Sequence, residues 1–136
     1  MTVRILVLIA GLFLVACGPK NEPEKIGNKF VSFYYQQMNQ QEAIKLSNQQ
    51  AKDKLEKEYE LVRENRIKNP QALENRAKVS YKLEESKIEK DMGFLTYRLT
   101  IQPNGVTPFD RTALITVQNE NGDWKVINYE EVSSGK

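Results

Sequence analysis

The stretch Leu95-Thr96-Tyr97-Arg98-Leu99-Thr100-Ile101 alternates large apolar side chains with polar ones. A period of two is typical of a β-strand that has one face on a core and the other on solvent. Similar alternation at 77–83 and 113–117 predicts two more strands, and a fourth is expected over 124–132. Asn121-Gly122 predicts a tight hairpin turn before that last strand, because both central residues of such a turn need positive φ. The second half of the chain is therefore predicted to form an antiparallel sheet.

The chain before these strands has a helical period. From residue 24 to 39, apolar side chains recur at steps of three and four, which predicts an amphipathic helix. A short helix is expected at 42–46, and a longer one over 50–67 that ends at Asn69-Pro70. The apolar parity of the first strand changes after Glu84-Glu85, which predicts a β-bulge. Helices followed by strands predict an α+β domain, with the N-terminal helices packed on one face of a curved four-stranded antiparallel sheet.

The first 17 residues predict export and lipid attachment. Arg4 precedes an apolar core of about a dozen residues, which is shorter than the roughly 20 that a spanning helix needs and is typical of a secretory signal peptide. The core ends in Leu14-Val15-Ala16-Cys17, which resembles the lipobox of bacterial lipoproteins. The resemblance implies cleavage between Ala16 and Cys17, a diacylglyceryl group on the Cys17 thiol, and acylation of the new amino terminus. Two or three acyl chains hold a protein stably on a membrane, whereas one does not.

The chain is predicted to divide into a cleaved lipoprotein signal peptide at 1–16, a lipidated tether at 17–24, one folded domain at 25–132 and a tail at 133–136. The alternative is an uncleaved anchor helix, which Gly18-Pro19 disfavours because this pair would end a helix. The expected location is extracytoplasmic and lipid-anchored. In a Gram-negative host the resemblance implies the periplasmic face of the outer membrane, since Gly18 is not the aspartate typical of inner-membrane retention. In another host it implies the outer face of the cytoplasmic membrane.

Composition argues against several classes of function. The 20 basic and 18 acidic residues nearly cancel, so no general attraction to nucleic acid is expected. Histidine is absent, which removes the commonest general base and the commonest zinc ligand. The sequence also has no phosphate-binding glycine loop, metal-ligand spacing or nucleophile elbow. We therefore expect a protein that is not an enzyme and that binds no metal or cofactor.

Three segments carry a further resemblance: the opening helix around 29–35, the short helix around 42–47, and the closing strand around 121–127 with its turn, tryptophan and lysine. Together they resemble the nuclear-transport-factor-2-like, or cystatin-like, superfamily, in particular the small domains found on bacterial lipoproteins. The resemblance covers about residues 25–132 and implies the fold described above. It leaves the function open, because the superfamily includes isomerases, dehydratases, small-ligand binders and assembly modules.

Three functions remain compatible with these observations. The leading hypothesis is a lipid-anchored binding or accessory module that meets the membrane through Cys17 and assembles with an envelope protein. The alternative is a carrier or sensor of small apolar ligands, with a pocket lined by aromatic side chains that could equally fill the core: Tyr34, Tyr81, Tyr97, Trp124 and Tyr129. The third is an isomerase or dehydratase with Glu84, Asp110 or Glu130 as base. That hypothesis requires one of these three carboxylates to be buried beside a cavity.

Overall fold

Three α-helices precede four strands in the computed structural model, which describes residues 21–133. The elements are α1 (Glu22–Val31), α2 (Gln40–Lys45), α3 (Gln49–Lys68), β1 (Lys78–Glu89), β2 (Met92–Gln102), β3 (Phe109–Glu120) and β4 (Asp123–Ser133). The strands form one antiparallel sheet in the order β1-β2-β3-β4, with the helices on one face. The predicted α+β class and the four-stranded sheet are thus confirmed. The expected signal peptide, Ala16 and Cys17 lie outside the described residues.

Helix α1 begins at Glu22, inside the range expected for the tether. The Asn21 side chain caps the helix by accepting a hydrogen bond of 2.9 Å from the backbone N–H of Glu24. Pro23 occupies the first turn, where its missing N–H costs no helical hydrogen bond and its fixed φ favours the helix. Four residues therefore separate Cys17 from the first residue of the folded domain.

The opening helix also ends earlier than residue 39. After Val31 the chain widens into a π-helix, Ser32–Gln36, which we call the π-turn; the N–H of Gln37 donates to the carbonyl of Ser32 at 3.0 Å. Met38 then takes a positive φ of 52°. Asn39 caps α2 instead of continuing α1, because its side chain accepts a hydrogen bond from the N–H of Glu42.

The strands are longer than their alternating segments. The register of β1 against β2 shifts between Leu83 and Glu85, which confirms the predicted bulge, and β1 continues beyond it to Glu89. A second shift, at Thr116/Val117, interrupts the pairing of β3 with β4. Both interruptions bend and twist the sheet. The hairpin turn is confirmed at Asn121 and Gly122, whose φ values are 56° and 94°.

The core lies between the helices and the inner face of the sheet, which is the face toward the helices. The helices contribute Phe30, Val31, Ala51 and Leu55, and the strands contribute Leu95, Tyr97, Leu99, Ile115, Val117, Val126 and Tyr129. Each large apolar side chain removed from water in this way contributes about 1.5–3 kcal/mol. The outer face of the sheet carries no helix within residues 21–133.

The domain has two distinct ends. The hairpin turns at 90–91 and 121–122 lie together, since the N–H of Asn119 donates to the carbonyl of Asp91 at 2.8 Å. Pro23 of α1 packs at the same end, against Gly93. We call this the tether end. The starts of β1 and β3 and the ends of β2 and β4 form the opposite, open end, about 36 Å away along strands of this length.

Within residues 21–133, none of the helices combines the length and the apolar character that a membrane crossing requires.

Candidate functional site

The structure separates the five aromatic residues proposed as a pocket lining. Tyr34 and Tyr129 lie together, with ring centroids 5.0 Å apart. Tyr81 and Tyr97 form a second pair at 6.0 Å, on neighbouring strands. Trp124 stands apart from both pairs at the start of β4, opposite Asn119. The side chains of Tyr97 and Tyr129 are buried in the core, and Tyr81 borders a surface groove beside α1.

Glu58 of α3 joins the first tyrosine pair. The Tyr34 hydroxyl donates to its Oε2 at 2.6 Å, and the Tyr129 hydroxyl donates to its Oε1 at 3.0 Å. Lys54 lies 4.1 Å from the centroid of the Tyr129 ring and donates to the Tyr129 carbonyl. This cluster ties the π-turn, α3 and β4 together.

Burial raises the pKa of the Tyr34 and Tyr129 phenols, and the adjacent Glu58 carboxylate raises them further. Both phenols therefore stay protonated and act as hydrogen-bond donors, which makes the cluster a structural tie and a poor nucleophile or base. Glu58 is not among the site residues predicted from the sequence. Its signal was its position on α3, seven residues after Ala51 and three after Leu55, on the side that carries the buried residues of that helix.

The three carboxylates proposed as a catalytic base are all exposed. Glu84 is paired with Arg98 at the bulge, and Asp110 accepts a hydrogen bond of 2.9 Å from the Thr100 hydroxyl. Glu130 borders a shallow cavity of about 280 Å³ on the outer face of the sheet. The enzyme hypothesis requires one of these three carboxylates to be buried beside a cavity, and none of them is buried.

Residues 21–133 also contain no cluster of three or more acidic, histidine or cysteine side chains placed to hold a metal ion.

The open end carries a row of apolar side chains on the inner face of the sheet. Val79, Ile101 and Phe109 lie side by side, because Val79 is paired with Ile101 and Ile101 with Phe109 across three neighbouring strands. The first two are half-buried, and Phe109 is 42% exposed. The helices therefore cover the middle of the inner face and leave its open end accessible.

Charged and aromatic groups surround this row. Arg111 pairs with Glu131 at 3.3 Å, and its guanidinium carbon lies 5.6 Å from the centroid of the Phe109 ring. Burial raises the pKa of the Tyr35 phenol in the π-turn, and the nearby Glu131 carboxylate raises it further. Exposed aromatic and arginine side chains around an apolar centre are typical of the energetically dominant residues of protein–protein interfaces.

Other apolar side chains are exposed elsewhere on the domain. Val106 of the β2–β3 connection is 58% exposed at the open end, and Val132, which is paired with Thr112 and so faces the outer side of the sheet, is 40% exposed. On the C-terminal half of α3, Leu61 and Ile67 are 75% and 74% exposed. This half of the helix runs toward the open end, where Arg66 donates to the Met38 carbonyl in the loop after the π-turn.

The solved structures include a protein with a similar fold, the VirB8 protein of Agrobacterium tumefaciens. It aligns with a TM-score of 0.58 and 16% sequence identity, over 88% of this chain and 99% of that chain. At this identity the likeness concerns the fold alone, and it is compatible with the α+β fold that the sequence predicted. No protein-family model matches the chain, and a search of curated proteins finds no relative.

Proposed function

We propose that this protein is a lipid-anchored, extracytoplasmic module of the bacterial cell envelope that acts by binding a protein partner at its open end, without catalysis. The observation that carries the proposal is the accessible row of Val79, Ile101 and Phe109, with the Arg111–Glu131 pair beside it. This surface lies at the end of the domain opposite the start of α1.

The position of α1 determines how close to the membrane the proposed anchor would hold the domain. The five residue-to-residue steps from Cys17 to Glu22 span at most about 18 Å. Lipid on Cys17, after cleavage at Ala16, would therefore hold the tether end close to the membrane. The open end would then face away from the membrane, where another envelope protein can reach it. The fold likeness to a protein of Agrobacterium tumefaciens is compatible with the bacterial host that the lipobox implies.

The exposed part of Phe109 gives a scale for the binding energy. A phenylalanine buries roughly 200 Å² when fully enclosed, so 42% exposure leaves about 80 Å² still to be covered by a partner. Covering that area is worth about 2 kcal/mol, or roughly 30-fold in affinity. A single substitution at Phe109 should therefore have a measurable effect on partner capture.

Crosslinking in the native host tests the binding proposal. Cells that produce the wild type, Phe109→Glu or Phe94→Glu are treated with a short crosslinker, and the protein is purified with its adducts. Phe94 is the matched control, because it is 43% exposed and lies near the tether end. We expect one specific adduct with the wild type and Phe94→Glu, and its loss with Phe109→Glu. The same adduct in all three samples would contradict docking at the open end.

Labelling with radioactive fatty acid tests the anchor separately. Cys17→Ser should abolish incorporation of the label and leave the unprocessed precursor. Unchanged labelling and processing of Cys17→Ser would show that Cys17 is not the lipidation site.

A further inference from the structure

The two edges of the sheet differ in the hydrogen bonds that they make to the rest of the chain. At the β4 edge, the N–H of Val126 donates to the Leu46 carbonyl at 2.8 Å, and the N–H of Asn48 donates to the Val126 carbonyl at 2.9 Å. Lys54 also donates to the Tyr129 carbonyl. In the part of the chain that the structure describes, no backbone segment pairs with the β1 edge.

One contact shows which backbone groups β1 turns outward. The side-chain amide of Gln36 donates to the Val79 carbonyl at 3.0 Å, so that carbonyl points away from β2. Backbone direction alternates along an antiparallel strand, which means that Tyr81 and Leu83 also turn their N–H and C=O groups to the free edge. The regular run ends at the bulge after Leu83, so the usable edge comprises residues 78–83.

A groove lies between this edge and α1. It encloses about 390 Å³ and is lined by Lys25, Asn28, Lys29, Ser32, Phe33 and Tyr81. A strand added to β1 would direct every second side chain toward this groove, because side chains alternate between the two faces of a sheet. Phe33 and Tyr81 give the groove apolar walls, so the side chains that enter it should be apolar.

The charges around the edge are predominantly positive. Lys78 and Lys82 are exposed on the outer face of β1, and Lys29 lies in the groove. Within residues 21–133 none of these three lysines has an acidic group within 4.0 Å, whereas Lys25 is paired with Glu22. A strand beside β1 would place its outer-face side chains about 5 Å from Lys78 and Lys82, which favours acidic residues there.

We propose that the β1 edge and its groove form a binding site for an extended acidic peptide segment that pairs with residues 78–83 as an additional strand. Acidic side chains of the segment face Lys78 and Lys82, and the alternate apolar side chains enter the groove beside Phe33 and Tyr81. Main-chain hydrogen bonds to Tyr81 and Leu83 supply affinity, and the two side-chain patterns supply specificity. A second copy of the chain suits this edge poorly, because its own β1 carries the same lysines.

Reversal of the charges on the protein and on the peptide tests the site. The probe is the peptide fluorescein-Glu-Val-Glu-Phe-Glu-Val-amide, labelled at its amino terminus, and its anisotropy is followed as the full chain in detergent micelles is added. We expect the double variant Lys78→Glu/Lys82→Glu to bind this acidic probe at least tenfold more weakly than the wild type does. A second peptide, in which lysine replaces each glutamate of the probe, should bind the double variant at least tenfold better than it binds the wild type. The control Lys52→Glu/Lys57→Glu, on the exposed side of α3, should bind the acidic probe within twofold of the wild type.

Amide exchange measured by NMR locates the bound peptide. The probe should slow exchange of the Tyr81 and Leu83 amides, which face the free edge, and leave the neighbouring amides of Ser80 and Lys82 unchanged. No binding of the acidic probe, equal binding by the lysine-to-glutamate variant, or protection elsewhere would each overturn the proposal. Protection of Tyr81 without peptide that rises with protein concentration would identify a second copy as the occupant and would also overturn it.

Discussion

Replacement of Glu58 by glutamine removes one hydrogen-bond acceptor from the tyrosine cluster while preserving the shape of the side chain. Glu58 accepts hydrogen bonds from Tyr34 and from Tyr129 through its two carboxylate oxygens. Glutamine has one acceptor oxygen and can serve only one of the two hydroxyls in this way. A hydrogen bond to a charged group is worth about 1.5–3 kcal/mol, and the cluster is only partly buried. We therefore expect Glu58→Gln to lower the free energy of unfolding by about 1–2 kcal/mol.

The assay is urea denaturation followed by the fluorescence of Trp124, which is the single tryptophan of the chain. Glu56→Gln is the matched control, because Glu56 is exposed on the same helix and should change the free energy of unfolding by no more than about 0.5 kcal/mol. In the double variant Tyr34→Phe/Glu58→Gln, the combined loss should fall short of the sum of the single losses by about 1 kcal/mol. Equal effects of Glu58→Gln and Glu56→Gln, or strict additivity in the double variant, would refute the proposed tie.

Three further outcomes follow from the geometry of the fold. Gly27→Ala should lower the free energy of unfolding by about 1–3 kcal/mol, although alanine has the better helix propensity. The alanine Cβ would lie 2.3 Å from Leu95 Cδ1 and 2.6 Å from the Tyr97 hydroxyl, and a raised melting temperature would contradict this close packing. Gly122→Ala should cost about 1–2 kcal/mol in a urea titration, because φ at this position is 94°, and an unchanged midpoint would argue against the turn. Burial raises the pKa of four tyrosines, namely Tyr34, Tyr35, Tyr97 and Tyr129. Their contribution to the free energy of unfolding should therefore be complete below about pH 10 and fall as the pH rises further, because the unfolded chain then loses these protons first. A urea midpoint that increases between about pH 10 and 11 would contradict this prediction.

The order of helices and strands could be predicted from the sequence because local patterns determine it. The alternation of residues 95–101 marks the part of β2 that faces the core, and Asn121-Gly122 marks a turn that few other dipeptides adopt. The ends of the elements were less predictable. The end of β1 lies beyond a bulge, where hydrogen bonds to β2 continue although the side-chain pattern is interrupted.

The candidate site depended on tertiary contacts that no local pattern contains. Val79 and Ile101 alternate like core residues, and they remain partly exposed although Gln36, the last residue of the π-turn, reaches the Val79 carbonyl. Glu58 belongs to a helix rich in charges of both signs, and only its contact with two distant tyrosines distinguishes it from its neighbours. How far a helix covers a sheet is decided by packing, which the periodicity of either element does not specify.

Site-specific photocrosslinking in the native host tests the docking of a partner at the open end most directly. The photoreactive amino acid p-benzoylphenylalanine is placed at Phe109 in one strain and at Phe94 in another, which keeps the aromatic character and the exposure of the two positions similar. We predict a specific light-dependent adduct with another envelope protein from position 109 and none from position 94. An adduct from position 94 alone, or equal adducts from both positions, would contradict the proposal that the open end is the docking surface.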